Sequence, residues 1–340
     1  MGEGFFGNIA PRLGAMRAEF TMPPFSVLDA RKGDWIQRKR AWLSLGLQGE
    51  LGRMPSKDDQ TNVAYRRTLT GFGKQLKTNY EKRGAAEKLK ADCGIDLEDV
   101  EDEFTDNVTG VSVFDPVLTE LVYKWFGIVG GTVLDPFAGG STRGVVAEIL
   151  GYRYTGVDIR DDQLAANRTQ ADLLGVSPTY IHGDSTDLGK LVGTEPVYDL
   201  AFLCPPYYDR EMYSGGAGDG SMHKTYADFV AWYSDVLQQA AAALTNDRFF
   251  VIVVGEIRDR KTGIYRNFVG DTIDILRNVI GLHYYNEIIF ITRTGSLPIR
   301  AGRQFRVARK IGKTHQQILV FWKGNVNNIR GLFENGNTNA

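Results

Sequence analysis

Residues 132–144 read TVLDPFAGGSTRG: a short apolar run, an acid, a proline, a glycine pair, and then a stretch able to open a helix. The apolar run that meets the acid and proline predicts a strand over 132–137, which the glycine pair then ends. The glycine pair lets the backbone turn sharply and come close to a ligand. Working outward, further apolar runs predict strands over 154–159, 179–182, 200–204, 249–255, 287–292 and 318–322. Helical periodicity predicts helices over 142–150, 161–174, 226–244 and 271–279. Strands alternating with helices give an α/β domain with a mostly parallel sheet. The connection between the last two strands is too short for a crossover helix on this reading, so they are expected to form an antiparallel hairpin at one side.

Open α/β sheets bind nucleotide-like ligands at the carboxyl ends of their strands. The turn here lacks the GxGxxG spacing that aims a helix N-terminus at a pyrophosphate. An acid at the strand end repels phosphate and suits a cation, so Asp135 favours S-adenosylmethionine over NAD. Pro136, Phe137, Ala138, Gly139, Gly140 and Ser141 would then line the donor pocket, unless the segment is only a tight strand-to-helix turn. YTGVDIR sets Asp158 and Ile159 at the next strand end, about twenty residues on, where a carboxylate can accept both ribose hydroxyls. IHGDS places Asp184 and Ser185 after the third strand; Asp184 either accepts from the adenine amino group or caps the following segment. Upstream, SVFDPVLTELVYKWF is amphipathic and brings Phe114 either to the methionine part of the donor or into the core.

Residues 198–209, YDLAFLCPPYYD, form an apolar strand stopped by Cys204, Pro205, Pro206 and Tyr207. Two consecutive prolines stiffen the loop at the strand's carboxyl end. An exocyclic amine conjugated to a ring is a poor nucleophile, and it must be oriented by groups that accept its protons. The Pro205 carbonyl suits that task, and the Tyr207 ring offers a face on which an extruded base can stack.

TVLDPFAGGSTRG followed by CPPYYD resembles the amino-methyltransferases of DNA, with their FxGxG-like and (D/N/S)PP(Y/F) motifs, over roughly residues 111 to 324. The pattern is similar to modification methylases carried by phages and prophages. The resemblance implies a Rossmann-like fold, S-adenosylmethionine as donor and no metal. It also implies adenine N6 or cytosine N4 of a flipped base as acceptor. By it, Asp135, Asp158 and Asp184 hold the donor, and Cys204 to Tyr207 hold the amine. One position departs from the pattern: sulfur at Cys204 is a weak acceptor where Asp, Asn or Ser is usual. Backbone carbonyls could suffice, or Cys204 could attack C6 of a pyrimidine as thiolates do in C5-methyltransferases; no dedicated thiolate-activating residue is evident in the sequence. Methylation of RNA or of a protein amide, and a non-catalytic DNA-binding role, stay open.

Of the 340 residues, 43% are hydrophobic and 24% charged, an ordinary globular composition. Two distant cysteines exclude a disulfide framework or a zinc motif, fit a bacterial cytoplasm, and no apolar stretch is long enough for a bilayer. The net charge of -1 hides segregation. Residues 1 to 105 are expected to be a mostly helical, basic region that reads DNA, dimerises or merely covers the sheet, closed by the acidic run DCGIDLEDVEDEFTD; residues 106 to 326 form the catalytic domain and 327 to 340 a polar tail. From Arg293 to Lys313 seven cations occur without an acid. Arg300, Arg303, Arg306, Arg309 and Lys310 are candidates for the phosphates of double-stranded DNA, and a solvated charged surface is the alternative.

Overall fold

The computed structural model describes residues 9–47, 113–208, 223, 225–292 and 297–334, without the side chains of 9–13, 298–300 and 334. An eight-stranded sheet runs in the order β1-β7-β8-β6-β5-β2-β3-β4. Its strands are β1 (Val27–Asp29), β2 (Thr132–Asp135), β3 (Arg153–Asp158), β4 (Thr179–His182), β5 (Tyr198–Leu203), β6 (Leu244–Val254), β7 (His283–Ile291) and β8 (His315–Lys323). All neighbours are parallel except β8, which is antiparallel to both β6 and β7. Counted from β2, the order 3-2-1-4-5 is that of a doubly wound Rossmann-like sheet, with the antiparallel β8 inserted between β6 and β7.

Two hydrophobic cores, one on each face, explain why the central strands read as continuous apolar runs. Leu200 and Phe202 enter one core while Ala201 and Leu203 enter the other, the two-residue alternation of a strand covered on both sides. On the first face lie α3 (Pro116–Phe126) and α4 (Thr142–Ile149); α7 (Tyr226–Ala243) and α8 (Phe268–Asp274) lie on the second. Between these come α5 (Asp161–Leu173) and the single-turn α6 (Leu188–Val192). Caps fix the helix starts: Asp115 accepts from the Val117 and Leu118 amides ahead of α3, and Thr225 with Asp228 forms a capping box on α7.

Three points refine the expectations. Over their described part, residues 1 to 105 cover the sheet, one of the three roles expected for them. β1 adds the eighth strand beside β7, and Trp35 and Trp42 of α2 (Gly33–Ser44) enter the first core. Glu120 of α3 is almost fully buried and accepts from Arg38 and from Trp42 Nε1 (2.9 Å), while Trp125 Nε1 donates to the Phe20 carbonyl at the end of α1 (Ile9–Phe20; 3.0 Å). Aromatic and charged residues that read as a surface thus anchor this segment to the sheet; the acidic run lies outside the described residues. Second, β7 and β8 pair antiparallel as expected, but a helix, α9 (Leu297–Ala308), occupies their connection. Arg, Gln and Ala favour a helix there, and Pro298 sits in the first turn, where its missing N–H costs nothing. Third, the polar tail is helical over α10 (Asn328–Glu334), which packs Ile329, Leu332 and Phe333 against the first core. Among the described residues no helix is long and apolar enough to cross a membrane.

Candidate active site

β2 and β5 are parallel neighbours in register Leu134↔Ala201, so the turn after Asp135 and the loop after Leu203 leave the same sheet edge side by side. β3, β4, β6 and β7 end at that edge too, and β8 begins there.

The turn after β2 is internally tied. Asp135 has no exposed surface. Its Oδ1 accepts from the Phe137 amide (3.0 Å), and its Oδ2 accepts from Arg143 Nε (2.5 Å) and the Tyr154 hydroxyl (2.7 Å). Arg143 also donates to the Phe137 carbonyl (2.5 Å) and lies under the Phe114 ring, 4.5 Å from its centroid. Burial opposes the Arg143 charge, but the Asp135 carboxylate outweighs it and holds the guanidinium pKa above its ordinary value. Burial and then Asp135 push the Tyr154 phenol far up, so it remains a donor. The charge argument for Asp135 is therefore corrected: Arg143 neutralises it, and it shapes the turn instead of drawing a cation by a free charge.

Asp158 stands half-buried at the end of β3, its Oδ2 accepting from the Gly139 amide (2.8 Å) and its Oδ1 from the Arg160 amide (2.9 Å). Gly139 has φ +50, a conformation that favours glycine. From α5, Asn167 Nδ2 donates to the Gly139 carbonyl (2.7 Å) and Gln170 Oε1 accepts from the buried Ser141 hydroxyl. Ser185 donates to the Pro136 carbonyl. Asp184 Oδ1 takes the Thr186 amide (2.9 Å), which is the capping alternative; its other oxygen has no hydrogen bond here. Among the expected donor residues, Phe114, Phe137, Gly139, Gly140, Asp158, Ile159 and Asp184 retain accessible surface, whereas Asp135, Pro136, Ala138, Ser141 and Ser185 are buried beneath them. The sequence reading missed Arg143, Tyr154, Asn167 and Gln170. Gln163, Asn167 and Gln170 carried a signal: they are polar residues at the i, i+4, i+7 spacing of a buried helix face.

In the loop after β5, Cys204 is half-buried against the first core beside Phe114 and Phe202. A charge on its sulfur would be felt by Arg143. Arg143 is thus the cation whose field reaches the thiol, and its charge is engaged by Asp135. Tyr207 packs edge-on against Phe268 at 5.9 Å, and its hydroxyl accepts from Gln316 Nε2 (3.1 Å). Burial first, then the neighbouring Cys204, pushes this phenol above its ordinary range, so it stays neutral. At the end of β6, a Cβ on Gly255 would lie 3.0 Å from Lys313 Nζ and 3.4 Å from the Tyr207 hydroxyl oxygen. A side chain at 255 would push the Lys313 ammonium outward by a few tenths of an ångström. Burial lowers the Lys313 pKa, against the opposing pull of Glu256.

The basic stripe divides. Arg303, Arg306 and Arg309 are exposed on and after α9, and Lys310 is half-buried; the side chain of Arg300 lies outside the described residues. Because α9 joins the ends of β7 and β8, the stripe flanks the edge that carries both loops. The glycine-rich segment after Tyr208 lies outside the described residues over 209–222 and 224.

No family model and no curated protein matches the chain. Among solved structures it is similar to TrmN from Thermus thermophilus (17% identity, 62% of this chain and 49% of that one, TM-score 0.40). It is also similar to an rRNA methylase from Streptococcus thermophilus (12%, 63% and 100%, TM-score 0.38) and to the [4+2]-cyclase SpnF (15%, 62% and 81%, TM-score 0.43). The chain spans about half the length of TrmN. At these scores the likenesses carry no assignment of activity, which rests on the site itself.

Proposed function

We propose that this chain is an S-adenosylmethionine-dependent methyltransferase acting on an exocyclic amino group of a nucleic-acid base, with DNA adenine N6 or cytosine N4 as the target. One observation carries the reading: the glycine turn after β2 and the Cys-Pro-Pro-Tyr loop after β5 emerge side by side from one sheet edge.

The residues fit the donor. Asp158 is half-buried at a strand end, where a carboxylate is suited to accept ribose hydroxyls, and the Gly139 and Arg160 amides orient its two oxygens. Phe114 and Phe137 add apolar surface on either side of the turn, and Asp184 keeps one carboxylate oxygen for an amino group. The bound donor would supply an electrophilic methyl group. Around it, the rigid turn sets position, the Pro205 carbonyl accepts an N–H of the amine, and the Tyr207 ring stacks on the base. A neutral Tyr207 phenol suits that stacking role and leaves proton acceptance to carbonyls. Cys204 contributes shape more than acceptor strength.

A second reading, attack by the thiolate on a pyrimidine C6, would draw on the field of Arg143 at Cys204. Labelled-methyl transfer to unmodified DNA, RNA and protein pools, followed by nucleoside analysis, separates the two. N6-methyladenine or N4-methylcytosine, lost in Tyr207→Ala and retained within roughly tenfold in Cys204→Ser, supports amine chemistry. 5-methylcytosine with a covalent adduct that Cys204→Ser abolishes establishes the other. Label in protein alone, or in none, rejects the nucleic-acid assignment.

A further inference from the structure

Resting on that nucleic-acid reading, we propose that the polynucleotide is gripped by two sequence-distant insertions acting as one surface: the hairpin 257–266 after β6 and the segment 297–313 containing α9. The hairpin is closed by the Arg258↔Tyr265 bridge and by the Asp259 amide donating to the Ile264 carbonyl (2.8 Å). Its single acid is engaged internally. Asp259 accepts from the Lys261 and Thr262 amides (2.9 and 2.7 Å) and pairs with Arg266 (2.6 Å). Arg260 and Lys261 are exposed on this turn, and Arg258 is half-buried, its Nη1 donating to the Gly263 carbonyl (2.9 Å).

The two insertions touch. Gly263, at φ +73, has Lys310 packed so closely that a Cβ there would collide with its ammonium group. Three residues on, Lys313 reaches Gly255 and the neighbourhood of the Tyr207 hydroxyl. Residues 310–313 therefore run from the hairpin turn to the loop that would hold the base. No acid occurs in 297–313.

Large apolar groups stand among these cations: Ile264 is 68% exposed, Tyr265 43%, Phe305 45%, Val307 81% and Ile311 72%. A merely solvated charged face has no use for them, and phosphates alone do not explain them. The aromatics carry arginines over their rings, Arg258 at 3.8 Å from the Tyr265 centroid and Arg309 at 5.2 Å from that of Phe305. Flat guanidinium–aromatic pairs amid phosphate-binding cations are suited to unstacked bases and the adjoining backbone, which is the strand distortion that base extrusion requires. The grip then lies at the reacting edge, and residues 1 to 105 are not needed to supply it.

The test is fluorescence anisotropy with duplex and single-stranded oligonucleotides over a salt series, with thermal melts to verify folding. Four proteins are compared: wild type, Arg260→Ala/Lys261→Ala in the hairpin, Arg303→Ala/Arg306→Ala in α9, and Arg153→Ala as a control. Arg153 is exposed at the start of β3, on the opposite edge. Each double variant should lose on the order of tenfold in affinity and flatten the log K against log salt slope by about 1–2, with the control unchanged. A hairpin variant that binds like wild type, or a control weakened equally, overturns the proposal, as does polyglutamate competing as well as DNA. Wild type that binds S-adenosylmethionine but no oligonucleotide rejects the nucleic-acid reading itself, a different outcome from a hairpin without effect.

Discussion

The turn after β2 is tied down at nearly every polar atom, whereas the surroundings of the loop after β5 leave polar atoms over. Around the first, Asp135, Arg143, Tyr154, Asp158, Asn167, Gln170 and Ser185 exchange hydrogen bonds with one another or with the turn's backbone. Around the second, Glu256 Oε2 and Arg266 Nε are buried with no hydrogen-bond partner among the described residues. Those residues lie near the loop: Phe268 packs on Tyr207, the Val269 amide donates to Glu256 Oε1 (3.2 Å), and Arg266 covers the Tyr208 ring. A pocket of one fixed shape can be built into the fold in advance. A pocket whose occupant brings its own donors and acceptors leaves some of its polar groups for that occupant, since orphaned buried groups are otherwise costly.

The contrast predicts the largest loss for Asp135→Ala, which leaves the Arg143 charge buried and unpaired. The expected cost is about 3–5 kcal/mol of stability, read as a lower midpoint in urea unfolding. A variant as stable as wild type that only loses donor binding would restore Asp135 as a ligand and break the comparison.

Next comes Glu120→Gln, which weakens the anchor between α2 and α3. Burial of Glu120 favours its protonated form, but hydrogen bonds from Arg38 and Trp42 prevail and hold its pKa below 4.5. A depressed carboxylate pKa contributes stability above the unfolded-state value and loses it as pH falls through the folded-state value. Wild type should thus lose stability below about pH 4.5, and the variant should lack that component and start lower by roughly 1–2 kcal/mol, allowing for the exposure of Arg38. Melts from pH 3 to pH 7 check the sign.

The smallest effects sharpen the contrast most. Asn167→Ala removes the donor to the Gly139 carbonyl and should cost about 1 kcal/mol, with donor affinity in calorimetry down several-fold. Tyr207→Phe removes a hydroxyl whose hydrogen-bond partner among the described residues is Gln316, and should change stability by about 0.5 kcal/mol and donor affinity not at all. Equal effects of the two on donor binding would erase the distinction between the loops.

Much of the fold was legible because its central strands are buried on both faces and must be apolar. The predicted strand 179–182 coincides with β4, and those at 132–137 and 154–159 differ from β2 and β3 by one or two residues at their ends. β6 began earlier than expected, since its first residues Leu244 to Arg248 mix polar and apolar side chains. β1 escaped notice because three residues give no periodicity, and only pairing with β7 makes them a strand. In the site, Asp158 and the Pro-Pro-Tyr loop could be named from strand ends and proline chemistry. Arg143 could not, because nothing local distinguishes a helical arginine on the surface from one folded beneath a turn onto Asp135.

The order of apolar runs, the glycine turn and the diproline thus fixed the α/β class and the edge at which two loops end, through backbone rules that act over a few residues. Tertiary structure alone decided which charges cancel and which cations share a surface. Ion pairing and burial depend on distance in space, and residues 135 and 143, or 263 and 310, meet only once the sheet and its insertions have closed around them.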